Sequence, residues 1–160
     1  MIKIRIIALG KLKESYLREA AEEYSKRLSK YCSLEITELN PVKLSDNPSN
    51  NEIAAALKTE KENIMAKIQK GSKVVALCIE GKQISSEDLS DIITDSANFG
   101  LGDLTFIIGS SYGLSEELKK ISDIKISMSR MTFTHQMARV ILLEQIYRAF
   151  KIKEGGTYHK

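Results

Sequence analysis

Short apolar runs alternate along the chain with longer stretches in which apolar residues recur at helical spacing. The runs are rich in β-branched residues and predict buried strands over residues 2–9, 34–39, 73–79, 104–108 and 124–128. The helical spacing predicts helices over 13–30 and 51–71, from 85 or 86 through 93, from 115 for a short distance, and over about 133–153. Elements in this order predict an α/β domain with a mainly parallel sheet and helices on both faces.

Polar residues mark the ends of the second predicted helix. Residues 40–51 contain Pro41, Pro48 and several Asn and Ser, so they predict a loop. Asn51 is expected to cap the helix that follows, and Gly71 is expected to end it.

Three loops directly follow predicted strands, at 80–82, 109–113 and 129–134. Ligands of open parallel sheets bind beyond the carboxyl ends of the strands, so these loops form the predicted ligand-binding edge. The 109–113 loop, GSSYG, could expose backbone amides to a ligand, but it lacks both the G-x-G-x-x-G pattern and the lysine of a P-loop. From this loop alone, an ordinary turn and a ligand loop are equally good interpretations.

The composition is that of an ordinary globular chain of 160 residues, 42% hydrophobic and 28% charged. No apolar run is long enough for a transmembrane helix. Lys3 and Arg5 interrupt the first apolar stretch, which therefore predicts a strand and not a signal peptide. Cys32 and Cys78 have no metal-ligand spacing. We therefore expect no metal site, reduced thiols and a cytoplasmic location.

The charge is unevenly distributed, although the net charge is only +3. Residues 81–123 carry three Lys or Arg and eight Asp or Glu, a net of −5, whereas residues 124–160 carry seven and two, a net of +5. The final segment is therefore a candidate surface for an anionic partner. A solvated basic helix explains the same charges equally well.

Few side chains suggest chemistry by themselves. His135 lies at the start of the last predicted helix, where a packing role is as ordinary as a catalytic one. Glu144 and Arg148 are four residues apart, the spacing of a helix-surface ion pair. Tyr158 and His159 follow a flexible Gly-Gly pair at the terminus, where most residues have no function. The residues alone thus indicate an α/β protein with a glycine loop and a basic end.

Longer stretches of the chain resemble a known family. Residues 129–140 read SRMTFTHQMARV, and residues 143–149 read LEQIYRA. Further matching segments are ALGKLK at 8–13, EGK at 80–82, the glycine after Ile108, and the closing YHK at 158–160. Together these segments are similar to the RlmH family, the pseudouridine N3-methyltransferases of bacterial large-subunit ribosomal RNA, which belong to the SPOUT or α/β-knot class.

The resemblance implies a fold and a reaction. It implies one SPOUT domain over residues 1–160, with a knotted cofactor-binding part over approximately 72–160 that ends in a C-terminal trefoil knot, an exception to the rule against knotted chains. It implies a homodimer that uses S-adenosyl-L-methionine to methylate N3 of a pseudouridine in helix 69 of 23S ribosomal RNA on the assembled ribosome. A SPOUT methyltransferase acting on transfer RNA, a non-catalytic ribosome-binding module and an unrelated nucleotide-binding protein are the alternatives.

The resemblance also implies functional residues. Those expected to touch the cofactor are Leu77, Gly109, Met128, Ser129, Arg130, Met131, Thr132 and Phe133, and Gly81 is a further candidate. For catalysis, His159 is the expected base or proton relay because histidine titrates near neutral pH. Tyr158 would orient the base or the nucleotide, and Arg139 would hold a phosphate or stabilise the developing anion.

This chain departs from the family pattern at two positions. Ser110 replaces a common second glycine, and we expect it to crowd the backbone slightly. Thr134 replaces a common proline before His135, and we expect it to free a backbone donor and loosen the turn.

Overall fold

The computed structural model describes residues 1–98 and 102–160, which form five strands and five helices. The strands are β1 (Lys3–Leu9), β2 (Ser33–Leu39), β3 (Lys73–Gln83), β4 (Asp103–Ile108) and β5 (Ile124–Ser127). The helices are α1 (Ser15–Leu28), α2 (Asn50–Met65), α3 (Ser86–Asn98), α4 (Glu116–Ile121) and α5 (His135–Lys153). The predicted α/β class is confirmed.

The strands form a single sheet in the order β2-β1-β4-β3-β5, and every pairing is parallel. The carboxyl ends of all five strands therefore meet along one edge of the sheet. Because β4, β3 and β5 are neighbours, the segments that follow them are brought side by side at that edge.

Apolar side chains cover both faces of the sheet. Along β1, Ile4 and Ile6 point into the larger core with α1, α3 and α5, while Ile7 points into the smaller core with α2 and α4. Along β4, Phe106 and Ile107 divide in the same way. This explains why the central strands β1, β4 and β3 are mostly apolar, and it confirms the prediction of helices on both faces.

Helix α2 differs from its prediction at both ends. Its cap is Ser49, whose hydroxyl accepts a hydrogen bond from the Glu52 amide at 3.2 Å, and not Asn51. Ser49 and Glu52 have the spacing of a capping box, which outcompetes an Asn inside the first turn. The helix stops at Met65 rather than near Gly71, because the Lys67 amide bonds the Ile64 carbonyl in a tighter turn.

Strand β3 also differs from its prediction. The segment 80–82, predicted as a loop, belongs to the strand, which runs to Gln83. Both Leu77 and Lys82 pair with Ile126 of β5, so the intervening residues bulge out of the ladder. A side chain at Gly81 would lie 2.5 Å from the Ile126 backbone, so the bulge requires a glycine there.

Candidate active site

A cleft of about 660 Å³ opens at the carboxyl edge of the sheet. Its walls are the β3 bulge, the loop that follows β4 and the segment between β5 and α5, so it lies where β4, β3 and β5 end. Its lining combines apolar side chains such as Leu77, Ile108 and Phe133 with polar ones such as Ser127 and Thr134. This mixture and size are typical of small-molecule sites.

Seven of the eight residues predicted to touch the cofactor line this single cleft. They are Leu77, Gly109, Met128, Ser129, Met131, Thr132 and Phe133. Arg130 is exposed and does not line the cleft, and Gly81 packs against β5 instead. Whether these residues bind a cofactor stays a prediction, but the structure does bring nearly all of them together.

The loop from Gly109 to Gly113 is a tight, closed turn. The Gly113 amide donates to the Ser110 carbonyl at 2.8 Å, and Gly113 adopts a positive φ of 80°. A side chain at Gly109 would lie 2.4 Å from the Gly113 carbonyl oxygen, so the turn closes only with glycine there. The loop therefore presents its backbone to the cleft in one fixed shape.

The two departures from the family pattern have physical roles. The Ser110 hydroxyl turns away to donate to the Glu60 carboxylate at 2.9 Å. The Thr134 hydroxyl caps α5 by accepting from the Met137 amide at 3.2 Å. The expectation that Thr134 loosens the turn is therefore wrong, because its hydroxyl ties the loop to the first turn of the helix.

Side-chain hydrogen bonds also order the segment between β5 and α5. Ser127 donates to the Ser129 carbonyl at 3.0 Å, and the Ser129 hydroxyl accepts from the Met131 amide at 3.0 Å. The turn holds Met131 outward, with 71% of its surface exposed at the mouth of the cleft. An exposed methionine beside a cleft can cover a flat apolar ligand.

His135 lies in the wall of the cleft, stacked on Gly10 at the end of β1. A side chain at Gly10 would lie 2.6 Å from the imidazole Cε1, so the contact requires glycine. Burial lowers the pKa of His135, and the positive charges of Arg139 and Lys13 lower it further. Its Nδ1 is buried without a hydrogen-bond partner among the described residues. A neutral imidazole therefore faces the cleft.

Arg139 is buried one turn further along α5 and faces the sheet. Its guanidinium donates to the Gly10 carbonyl at 2.7 Å and to the Glu38 carboxylate at 2.7 Å. These contacts fasten the start of α5 to the ends of β1 and β2. Arg139 does not line the cleft, and the structure does not bring it to Tyr158 or His159.

The terminal residues fold back on α5 and α3. Tyr158 donates to Glu144 at 3.0 Å and packs edge-on against Tyr147, while the Arg148 guanidinium lies 4.7 Å from its ring centre. Burial raises the pKa of Tyr158, and hydrogen bonds to Tyr24 and Glu144 add to this.

His159 contacts Glu87 of α3 through Nε2 at 2.7 Å and approaches Arg148 of α5 through Nδ1. Arg148 is thirteen residues beyond His135, or about 20 Å along the helix. Residues 158–160, called the tail from here on, are thus held well away from the cleft of their own chain.

Sequence reasoning missed several residues that line the cleft. Cys78 and Glu80 reach it because of the β3 bulge, and Lys119 reaches it from α4 and bonds Glu80 at 2.9 Å. The Lys119 ammonium lowers the pKa of Glu80, and burial raises the pKa of the Cys78 thiol. Glu80 belongs to segment 80–82, which the sequence placed at the ligand-binding edge as a loop, whereas Cys78 and Lys119 carried no such signal because a bulge cannot be seen in an apolar run.

Comparison with known proteins places the chain in a family. Residues 2–159 match the model of a family described as predicted SPOUT methyltransferase. The chain belongs to the SPOUT methyltransferase family. Its resemblance to RlmH is likewise confirmed by curated relatives.

Three of these relatives bear the name ribosomal RNA large subunit methyltransferase H. The proteins from Clostridioides difficile (strain 630), Clostridium novyi (strain NT) and Lactococcus lactis subsp. cremoris (strain SK11) are 49%, 48% and 46% identical to this chain. Each alignment spans 159 residues, which is 99% of this chain and the whole of the relative.

Membership of this family implies a methyl donor, and the cleft is the site in the described residues with the size and lining to hold one. Within residues 1–98 and 102–160, no three His, Cys, Asp or Glu side chains are grouped as metal ligands. Over the same residues, no helix combines the length and hydropathy needed to cross a bilayer.

Proposed function

We propose that this SPOUT methyltransferase transfers the methyl group of S-adenosyl-L-methionine to N3 of a pseudouridine in 23S ribosomal RNA. The proposed target lies in helix 69, on the assembled ribosome in the cytoplasm. The observation that carries the proposal is the convergence of seven predicted cofactor residues on one cleft, in a chain 46–49% identical to proteins named for ribosomal RNA methylation.

The cleft fits the proposed cofactor in size and chemistry. Its volume of about 660 Å³ lies within the range of small-molecule sites. Leu77, Met128 and Phe133 offer apolar surface for a purine ring, while the closed 109–113 turn offers backbone groups for its polar edge. Bound here, the cofactor would supply an activated methyl group on a sulfonium.

Residues of this chain must align the acceptor nitrogen and remove its proton. An imide nitrogen is a poor nucleophile while protonated, so a base within hydrogen-bond reach is required. His159 is our proposed base or relay, and Tyr158 would orient it or the nucleotide. Because the pKa of Tyr158 is raised, its phenol acts as a neutral donor in this arrangement. For Arg139, the buried contacts favour an indirect role through the start of α5.

The position of the tail supports a homodimer with a shared site. While Tyr158 bonds Glu144 and His159 bonds Glu87, neither can enter the cleft of its own chain. A partner that lays its cleft against this end of α5 would receive both side chains without breaking those contacts. The proposed active site is therefore built from the cleft of one protomer and the tail of the other.

Ion pairing limits which Lys and Arg side chains are available to contact ribosomal RNA. Arg139, Arg148 and Lys151 are each paired with a carboxylate, so the basic end is less available than its charge implies. Lys11 and Lys13 are exposed on the loop after β1, and the Lys13 amide donates to Gln136 in the cleft wall at 2.8 Å. We propose that these two lysines contact phosphates beside the target nucleotide.

We further propose that residues 1–160 form one SPOUT domain and that the part from about 72 to 160 is knotted. The path from β5 supports this: β5 lies at one edge of the sheet, whereas α5 packs against α1 and α3 and reaches the end of β1. The chain must therefore cross the carboxyl edge beside the other two cleft segments. An experimental trace without a threaded C-terminal segment would contradict the knot.

Methyl transfer to defined substrates tests the proposed function. Purified protein with labelled cofactor should methylate assembled ribosomes from cells that lack the activity, and mass mapping should place the label on helix 69 at N3 of pseudouridine. Transfer RNA offered in parallel should stay unlabelled. Label on transfer RNA would favour the other SPOUT activity, and failure to bind the cofactor at all would favour a non-catalytic ribosome-binding module.

A further inference from the structure

A carboxylate is buried beneath the loop that follows β4. Glu60 of α2 is 4% exposed, yet its oxygens meet only uncharged donors in the described structure. Oε2 accepts from the Val42 amide at 2.9 Å, and Oε1 accepts from the Ser110 hydroxyl at 2.9 Å. One side chain thus joins α2, the segment before it and the second residue of the closed 109–113 turn.

Stability of the core does not explain this choice of residue. Burying a carboxylate is costly even when it is hydrogen-bonded, and an apolar side chain of similar size often stabilises a core more. Residues around Glu60, such as Ile53 and Leu57, are apolar and would accept one. What an apolar residue could not provide is an acceptor for the Val42 amide and for the Ser110 hydroxyl, and the second of these hydrogen bonds reaches the closed turn.

A cavity beside Glu60 leaves room for the closed turn to move if the hydrogen bond between Glu60 and Ser110 is lost. The cavity has a volume of about 340 Å³ and shares Ser110, Ser111 and Tyr112 with the cleft, so the turn is the wall between the two. The turn is internally rigid, since Gly109 packs on Gly113 and the Gly113 amide bonds the Ser110 carbonyl. Without a tether it could shift as a unit into the cavity and withdraw its backbone groups from the cleft.

We propose that Glu60 is a positioning residue that acts through Ser110 to hold the 109–113 turn in the position required for cofactor binding. This inference rests on the proposed function, because it assigns the turn to the cofactor. Glu60 does not line the cleft, so its effect must pass through the turn.

Calorimetric titration with S-adenosylhomocysteine tests the proposal on the full-length protein. Ser110→Ala and Glu60→Leu should each raise the Kd about tenfold, the scale of one lost hydrogen bond. The double variant should bind no more weakly than Glu60→Leu, because the two residues act through one contact.

A conservative variant and a control complete the test. Glu60→Gln should keep a Kd near wild type: its amide oxygen can accept from Val42, and its NH₂ group can donate to the Ser110 hydroxyl. Ser33→Ala, exposed at the start of β2 and therefore at the edge of the sheet opposite the cleft, is the matched control.

The outcomes separate this proposal from the function on which it rests. Folded Ser110→Ala and Glu60→Leu proteins with the wild-type Kd, or additive losses in the double variant, would overturn the positioning role. If Glu60→Leu does not fold, Ser110→Ala decides alone, since it removes one hydroxyl. A wild-type protein that fails to bind the probe would instead remove the proposed function, and this inference with it.

Discussion

At the scale of single residues, the cleft depends on glycines that permit close approach. Gly10 lets the His135 ring stack on the end of β1, Gly81 lets the bulge of β3 return to β5, and Gly109 lets the following turn close. At each position a methyl group would meet atoms within 2.6 Å. The shape of the site therefore depends on glycine at these three positions as well as on the side chains that line the cleft.

Gly109→Ala tests this dependence. The new methyl group would overlap the Gly113 carbonyl oxygen, which must move, and the turn would open. We expect the Kd for S-adenosylhomocysteine to rise at least about tenfold while the protein stays folded. Ser33→Ala, at the opposite edge of the sheet, should bind as wild type does. Unchanged binding by Gly109→Ala would show that the turn does not contact the cofactor.

His135 should make the stability of the protein depend on pH. Its pKa is lowered in the folded state, so the unfolded chain binds the additional proton first on acidification. The stability that His135 contributes as a neutral group is present above its unfolded pKa of about 6.5 and is lost as the pH falls through the folded value. Urea denaturation of wild type should therefore show falling stability from pH 7.5 to pH 5.5, and His135→Asn a flatter dependence. Equal slopes would contradict the account.

At the scale of elements, α5 is fastened to the sheet by Arg139. The guanidinium joins the helix to the ends of β1 and β2, and its side chain is 4% exposed. Because Glu38 is 37% exposed, water can solvate it when the arginine is lost, and the cost is smaller than for a fully buried pair. Arg139→Met should lower the free energy of unfolding by about 2–3 kcal/mol.

The exposed Arg130 provides the control for this substitution. Arg130→Met should change the free energy of unfolding by less than about 0.5 kcal/mol, as surface substitutions usually do. If Arg139→Met were equally neutral, the guanidinium would not be fastening α5, and a direct role with RNA would become the better interpretation.

Most strands and helices could be predicted from the sequence because their buried residues form short apolar runs or recur at helical spacing. The central strands β1, β4 and β3 are mostly apolar, and Ser115 caps α4 where the sequence predicts its start. The bulge in β3 could not be predicted, because it arises from pairing with β5 and leaves no mark in the apolar pattern. The same limit hid Cys78 from the predicted site.

The resemblance to RlmH supplied the candidate residues of the cleft, and the fold explains their convergence through the adjacency of β4, β3 and β5. It could not reveal the surroundings of a side chain. Arg139 is buried against Glu38 and Gly10, and the tail lies on α5 and α3. Both positions are set by tertiary contacts between segments that are far apart in the sequence.

At the scale of the whole molecule, the proposed function requires a small surface to recognise a large anionic partner. The proposed contacts Lys11 and Lys13 are exposed beside the cleft. Replacing both with glutamine should weaken ribosome binding and reduce the slope of log K against log salt by about two, one for each lost phosphate contact. Lys3, exposed at the opposite end of β1, is the control: Lys3→Gln should leave the slope unchanged. An unchanged slope in the double variant would place the RNA elsewhere.

In the proposed homodimer, a complete site combines the cleft of one protomer with Tyr158 and His159 of the other. Deleting residues 158–160 should abolish turnover but leave cofactor binding intact, whereas Gly109→Ala should impair the cleft alone. Heterodimers of these two variants, isolated with two affinity tags, contain one site with an intact cleft and the partner's intact tail. At a cofactor concentration near the wild-type Kd, methyl transfer to ribosomes by this heterodimer should reach about half of the wild-type rate, and a rate no higher than those of the two variant homodimers would contradict the account.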